Sequence, residues 1–219
     1  MLTFYGVYRS RLTRNMWLVE ELGLEHVHVP VIQSYRLVDP LAADAPLNTA
    51  SASFLAISPA GAIPVMREDG FVLSESFAIN MYLARKHGGP FGPADPHEDA
   101  LMLQWSLYAA TAIEAAALKA FYVHADKRAG TPDGQAELAA HTEALQRPLK
   151  VVEQHLAGQG HMVGGRFTVA DINVAEVLRY AQAHEPLLAG MSAIRGWLEA
   201  CQARPAFKTV MQRRAAEPV

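Results

Sequence analysis

The stretch from Ile57 to Tyr82 constrains this chain most. It reads Ile-Ser-Pro-Ala-Gly-Ala-Ile-Pro-Val-Met, then Arg-Glu-Asp-Gly, then Phe-Val-Leu-Ser-Glu-Ser-Phe-Ala-Ile-Asn-Met-Tyr. Ser58-Pro59 and Ala60-Gly61 are turn chemistry. Ile63-Pro64-Val65-Met66 begins a short apolar strand with proline at its head. A proline has no N–H for a sheet ladder, so it belongs at a strand start, an edge or a special turn. Glu68-Asp69-Gly70 marks a hairpin, because Asp-Gly supplies the positive φ angles of a tight turn. Phe71-Val72-Leu73 returns as the second strand. Ser74-Glu75-Ser76 then opens a helix, with Ala78, Ile79, Tyr82 and Leu83 at helical spacing.

This order sets a proline-headed strand beside a helix N-terminus that carries a carboxylate and hydroxyls. Free N–H groups at a helix start suit an anion, and the backbone around Ile63-Pro64 can pair like an extra strand. Together they suit a short peptide with a free carboxylate and a free amine. The run Ser-Pro-Ala-Gly-Ala-Ile-Pro-Val, followed by Glu-Ser-x-Ala-Ile-x-x-Tyr-Leu, resembles the glutathione-binding half of the cytosolic glutathione S-transferases of bacterial type, with the class left open. The resemblance implies a cis bond before Pro64. It implies that the Ile63 backbone pairs with the cysteinyl part of glutathione, and that Glu75 and Ser76 hold the γ-glutamyl end. Taken without the resemblance, the same residues read as a hairpin and a helix whose Ser and Glu are caps.

A chain of 219 residues has ample core for one large domain or two small ones. Its 51% hydrophobic content is that of a folded protein. A net charge of -3 points away from nucleic acid. No uninterrupted apolar run of membrane-spanning length is read, so no membrane partner is expected. The N-terminus starts on a strand pattern, Leu2-Thr3-Phe4-Tyr5, rather than a signal peptide. One cysteine, Cys201, excludes an internal disulfide and a cysteine-based metal cluster, and suggests the cytoplasm.

In chain order, Leu2–Tyr5 is a strand and 6–9 a loop. Ser10 is the expected N-cap of a helix carrying Leu12, Met16 and Val19, which Gly23 ends. Glu20 and Glu21 oppose that helix's macrodipole, so packing must hold it. His26 to Val31 alternates as a second strand. Residues 33–53 show no steady period and read as a loop with a short helix; the segment is longer than the resemblance leads one to expect. The order strand-helix-strand, then strand-strand-helix, is thioredoxin-like, with a right-handed first crossover expected. Residues 86–94, dense in Gly and Pro, form the expected linker. Beyond them the pattern is helical: one helix from Asp95 or His97 toward Phe121, one over 135–156, one opened by the capping box Thr168-Val169-Ala170-Asp171, and one over 191–203 stopped by Arg204-Pro205. The Gly164 to Asp171 run also resembles the capping motif of a buried helix in the transferase family. The expected fold is therefore an α/β thioredoxin-like domain with a mixed four-stranded sheet (1–85), a linker (86–94) and an all-α domain (95–219).

A glutathione thiol near neutral pH is mostly protonated, and its thiolate is the nucleophile. Each unit of pKa lowering requires about 1.4 kcal/mol of anion stabilisation. The resemblance places the group responsible, a Tyr, Ser or Cys, near the first strand's end or the first helix's start. Ser10 and Tyr5 are the two candidates here, with Ser10 preferred; no cysteine stands there. Arg9 and Arg11 are candidate supports for the anion. Gln33 and Arg36 follow the second strand, where a donor to the glycine carboxylate is expected. Tyr8, Tyr108 and Thr111, with Phe121 or Tyr122, are candidate walls for an electrophile pocket. The nine histidines lack metal-ligand spacing, and no metal is expected. No Gly-x-Ser-x-Gly elbow supports a serine hydrolase.

The resemblance implies a homodimeric detoxification enzyme. It would add glutathione to a small hydrophobic electrophile or use it to reduce a peroxide; isomerase and dehalogenase chemistry use the same glutathione site. The alternative is a catalytically silent binding or structural module, since fold alone does not prove chemistry.

Overall fold

The computed structural model describes residues 1–217. Contacts divide it into two compact units, Met1–His87 together with the described chain from Pro205 on, and Gly88–Arg204.

The first unit is built on four strands: β1 (Leu2–Tyr5), β2 (Val27–Val29), β3 (Val65–Glu68) and β4 (Phe71–Ser74). Their order is β2-β1-β3-β4. β1 pairs parallel with β2 and antiparallel with β3, with Tyr5 opposite Val29 on one side and Val65 on the other. The mixed sheet is the one expected. β2 is shorter than the alternation of His26 to Val31 suggests. The β3–β4 hairpin closes through Asp69 and Gly70, both at positive φ (49° and 90°), the geometry that Asp-Gly favours.

Helix α1 (Leu12–Leu22) connects β1 to β2 and ends on Gly23 in the left-handed region, as its sequence indicates. Its residues 12–19 are all buried. The expected N-cap needs correction. Arg11, not Ser10, occupies the cap position, while the Ser10 hydroxyl accepts from the Leu12 N–H at 3.1 Å. The segment 33–53 contains only a 3₁₀ turn, Ser34–Arg36, before helix α2 (Ala52–Leu55). Fully buried Asn48 ties it down: its amide donates to the Pro40 and Pro46 carbonyls, both at 2.9 Å, and accepts from the Ala50 N–H. Helix α3 (Ser76–His87) follows the hairpin.

The second unit is all-helical: α4 (Pro96–Tyr108), a π-helical turn at Ala109–Glu114, α5 (Ala115–Ala125), α6 (Pro132–Gln159), α7 (Val169–Ala181) and α8 (Ser192–Gln202). Asp95 caps α4 by accepting from the His97 and Glu98 N–H groups. The Thr168/Asp171 capping box is present at the start of α7. Helix α6 starts earlier than its periodicity suggests, because Thr131 caps it and Pro132 fills its first position.

Among the described residues, one helical stretch, Pro96–Ala125, has the length and mean hydropathy (1.2) that would let a helix cross a membrane. No uninterrupted apolar run marks it in the sequence, because the apolar character here is spread over many alanines. The buried face, with Met102, Trp105, Ala109, Ile113, Ala117 and Ala120, packs against α6 and α7.

The last helix, α9 (Pro205–Ala216), is absent from the sequence expectations. In the sequence, Arg204-Pro205 reads as the stop of α8. Pro205 is the first residue of α9, where a proline's missing N–H costs nothing. α9 belongs to the first unit and packs along α1, with Phe207 edge-on to Trp17 at 4.8 Å between centroids and Arg213 paired with Glu20. That ion pair answers the acidic end of α1. The helical half therefore does not run unbroken to the C-terminus as the 95–219 assignment has it.

Candidate active site

The residues expected to hold glutathione lie in the first unit, in the loop between β1 and α1, the 33–36 turn, the bend before β3 and the junction of β4 with α3.

At the bend, the Ile63-Pro64 bond is cis, as the resemblance implies. Ile63 is half-buried against a cluster of Val31, Phe54 and Val65. Pro64 is buried at the head of β3, which starts at Val65, so its missing N–H interrupts no ladder.

At the β4–α3 junction, Glu75 has φ +67°. Non-glycine residues seldom adopt this left-handed conformation. Glu75 is exposed, and its carbonyl accepts the Ile79 N–H at 2.9 Å, the first bond of the helix. Ser76 is 3% exposed. Its hydroxyl accepts from Arg14 Nη1 at 3.2 Å, and its carbonyl accepts from Asn15 Nδ2 at 2.8 Å. The same Asn15 amide donates to Asn80 Oδ1 at 2.7 Å, and Asn80 Nδ2 donates to the Arg14 carbonyl at 3.1 Å. The Arg14 guanidinium lies 4.1 Å from the Phe77 ring centre. The starts of α1 and α3 are thus fastened by buried polar groups. Arg14, Asn15 and Asn80 were not among the sequence candidates. Spacing gives no signal for Arg14, which lies opposite the Leu12, Met16 and Val19 face and is buried because α1 is covered on all sides over residues 12–19.

In the β1–α1 loop, the Ser10 hydroxyl donates to the Val7 carbonyl at 2.6 Å. It is half-buried, one residue before the cap position of α1. Tyr5 sits elsewhere: it is a β1 residue whose ring packs 6.5 Å from Phe54 in the apolar cluster. Arg9 is half-buried and Arg11 exposed. The Arg9 carbonyl accepts from Gln33 Nε2 at 3.5 Å and from Arg36 Nη2 at 3.3 Å, so the loop and the 33–36 turn are joined. Gln33 Oε1 is buried and accepts no hydrogen bond among the described residues.

The candidate pocket walls separate. Tyr8 is buried in the first unit, edge-on to His28 at 5.0 Å between ring centres. Its ring is therefore a packing element rather than an open wall. Tyr108 and Thr111 belong to the second unit. Tyr108 is half-buried beside Trp105, and loss of hydration raises its phenol pKa. Thr111 is exposed, and its hydroxyl donates to the Leu107 carbonyl.

Chemically, the first unit offers a hydroxyl at a helix start, a proline-headed strand and an exposed carboxylate before a second helix start. A family model described as glutathione S-transferase, N-terminal domain, matches residues 12–86, and one described as glutathione S-transferase, C-terminal domain, matches 110–205. The chain is 34% identical over 164 residues to glutathione S-transferase 3 of Zea mays, covering 72% of this chain and 74% of that protein. It is 32% identical over 165 residues to elongation factor 1-gamma of Danio rerio, covering 74% of this chain but 36% of that longer protein. A solved structure of glutathione S-transferase III in apo form matches with a TM-score of 0.78 at 30% identity, covering 100% of this chain and 99% of that one.

Proposed function

Since the chain belongs to the cytosolic glutathione S-transferase family, we propose that it binds glutathione on its first unit and uses Ser10 to stabilise the thiolate for attack on an apolar electrophile or reduction of a peroxide. One observation carries this reading: a hydroxyl at the start of α1, a cis Ile63-Pro64 bend and an exposed carboxylate at Glu75 occur together on the first unit.

In this reading, Ile63 offers its backbone N–H and C=O to the cysteinyl part, beside Pro64. Glu75 takes the γ-glutamyl amine, and the α3 start at Ser76 receives its carboxylate. Gln33 takes the glycine carboxylate, with Arg9 and Arg11 lending positive charge. Ser10 then turns its O–H from the Val7 carbonyl to the sulfur. A hydrogen bond to an ionised acceptor favours the anion, as does the positive end of α1. Tyr5 is the lesser candidate because its ring packs in the apolar cluster with Phe54. Tyr108 and Thr111 remain candidate walls for the electrophile. Tyr8 contributes only the backbone of the loop. A homodimer, a cytoplasmic setting and a detoxifying role complete the proposal, and no metal enters it.

The test is the pH dependence of glutathione conjugation to an aryl halide. Ser10→Ala is expected to slow the reaction by about ten-fold or more and to shift its pH profile upward. An unshifted profile moves the role to Tyr5. A second reading, a silent binding module, is favoured by the similarity to elongation factor 1-gamma. Glutathione binding measured by calorimetry, without conjugation, peroxidase, isomerase or dehalogenase turnover, would support it instead.

A further inference from the structure

The loop that carries Ser10 is held from outside by one carboxylate, far away in sequence. The Tyr8 N–H donates to Glu217 Oε1 and the Arg9 N–H to Glu217 Oε2, each at 2.8 Å. Two consecutive peptides thus share one bidentate acceptor. The Tyr8 carbonyl accepts from Arg214 Nη1 at 2.5 Å and from Thr13 Oγ1 at 2.5 Å. Arg213 hydrogen-bonds the Tyr8 side chain and pairs with Glu20. Two side chains, Arg214 near the end of α9 and Glu217 after it, therefore clamp the backbone immediately before Ser10.

The clamp matters because it holds the N–H side of the loop, whose carbonyls are held by Thr13, Gln33 and Arg36. The Gly6 N–H donates to the Val29 carbonyl, and the Gly6 carbonyl accepts from Val31, which ends the sheet's grip. α1 begins only at Leu12. Between them, Glu217 is the acceptor for the Tyr8 and Arg9 N–H groups. Ser10 is the next residue, and the aim of its hydroxyl follows the run of peptides before it: Glu217 holds Val7–Tyr8 and Tyr8–Arg9, and Gln33 and Arg36 hold the carbonyl of Arg9–Ser10. A displacement of about an ångström is enough to weaken a catalytic hydrogen bond greatly.

We propose that Glu217 is a positioning residue for Ser10: its carboxylate fixes the Tyr8 and Arg9 peptides so that the Ser10 hydroxyl is aimed at the glutathione sulfur. This rests on the reading of Ser10 as the sulfur donor. Glu217 itself touches neither glutathione nor electrophile; it acts through the backbone.

The test compares E217A, E217Q, S10A and the double variant S10A/E217A in the full chain. Each is assayed for the pH profile of conjugation, kcat, KM for the electrophile, and Tm. E217A is expected to raise the apparent pKa of the bound thiol by about one unit and to lower kcat about ten-fold, with KM for the electrophile unchanged. E217Q keeps one acceptor and turns a donor toward an N–H, so it falls between wild type and E217A. The double variant is expected to match S10A, because a residue acting through Ser10 adds nothing once Ser10 is gone. An E217A protein with a lower Tm but a wild-type pH profile and kcat overturns the proposal and leaves the Ser10 reading intact. Additive effects in the double variant also overturn it. If S10A itself leaves the profile unmoved, the Ser10 reading fails first.

Discussion

Arg14 Nη1 donates to the Ser76 hydroxyl across 3.2 Å, joining the first turn of α1 to the first residue of α3. Both residues are buried, and α3 opens where the glutathione carboxylate is proposed to lie. Ser76→Ala removes an acceptor from a buried guanidinium, which is expected to cost about 1–3 kcal/mol of stability by urea unfolding. It should also weaken glutathione binding, because the start of α3 loses its tie to α1. Glu75→Ala, at an exposed position, is expected to weaken binding with little loss of stability. Calorimetry and unfolding together separate the two effects, and an S76A protein as stable as wild type would remove the structural assignment.

In the second unit, Glu98 accepts from Arg166 Nη1 at 2.8 Å and Nη2 at 2.7 Å, and from the Ala94 N–H at 2.9 Å. Arg166 also donates to the Pro90 and Gly92 carbonyls. The arginine, then the Ala94 N–H, hold the Glu98 carboxyl at about 2, below its ordinary 4.5. A carboxylate whose folded pKa is lowered stabilises the fold above the unfolded value, and that contribution disappears as pH falls through the folded one. Glu98→Gln is therefore expected to cost about 1–2 kcal/mol near pH 7. The gap to wild type should close as pH drops from about 4.5 to about 2. Urea unfolding across that range checks this, and a gap independent of pH speaks against the ion pair.

Asp171 is fully buried at the start of α7 and serves several donors. It accepts from the Thr168 N–H at 2.9 Å, the Met162 N–H at 3.1 Å and the Trp197 indole N–H at 2.8 Å. Asp171→Ala leaves all three without their acceptor. A loss of about 3 kcal/mol or more is expected, with failure to accumulate as folded protein. Thr168→Ala, which removes a single cap, should cost about 1 kcal/mol. Equal losses for the two would show that Asp171 acts only as a cap.

Much of the site was legible before any coordinates. Asp69-Gly70, Pro64, Glu75 and the Thr168-Asp171 box are local signals: a turn needs positive φ, a strand head tolerates proline, and a helix start needs acceptors. Those demands act between residues close in sequence. Ser10 was placed correctly at the approach to α1 but one residue off as its cap, because Ser10 and Arg11 both lie within the turn that starts the helix. Tyr8 looked like a pocket wall because an aromatic near a site reads the same whether it faces ligand or core.

Short-range stereochemistry and hydrophobic period were enough for the strands, the hairpin, the α4 and α7 caps and the resemblance that points to the family. Only the tertiary structure decided that α9 returns to the first unit, that Arg14 reaches Ser76, and that Glu217 grips the loop before Ser10. Those contacts join residues tens to hundreds of positions apart. Their partners are chosen by where buried polar groups find acceptors once the helices have packed, and no periodicity along the chain records that choice.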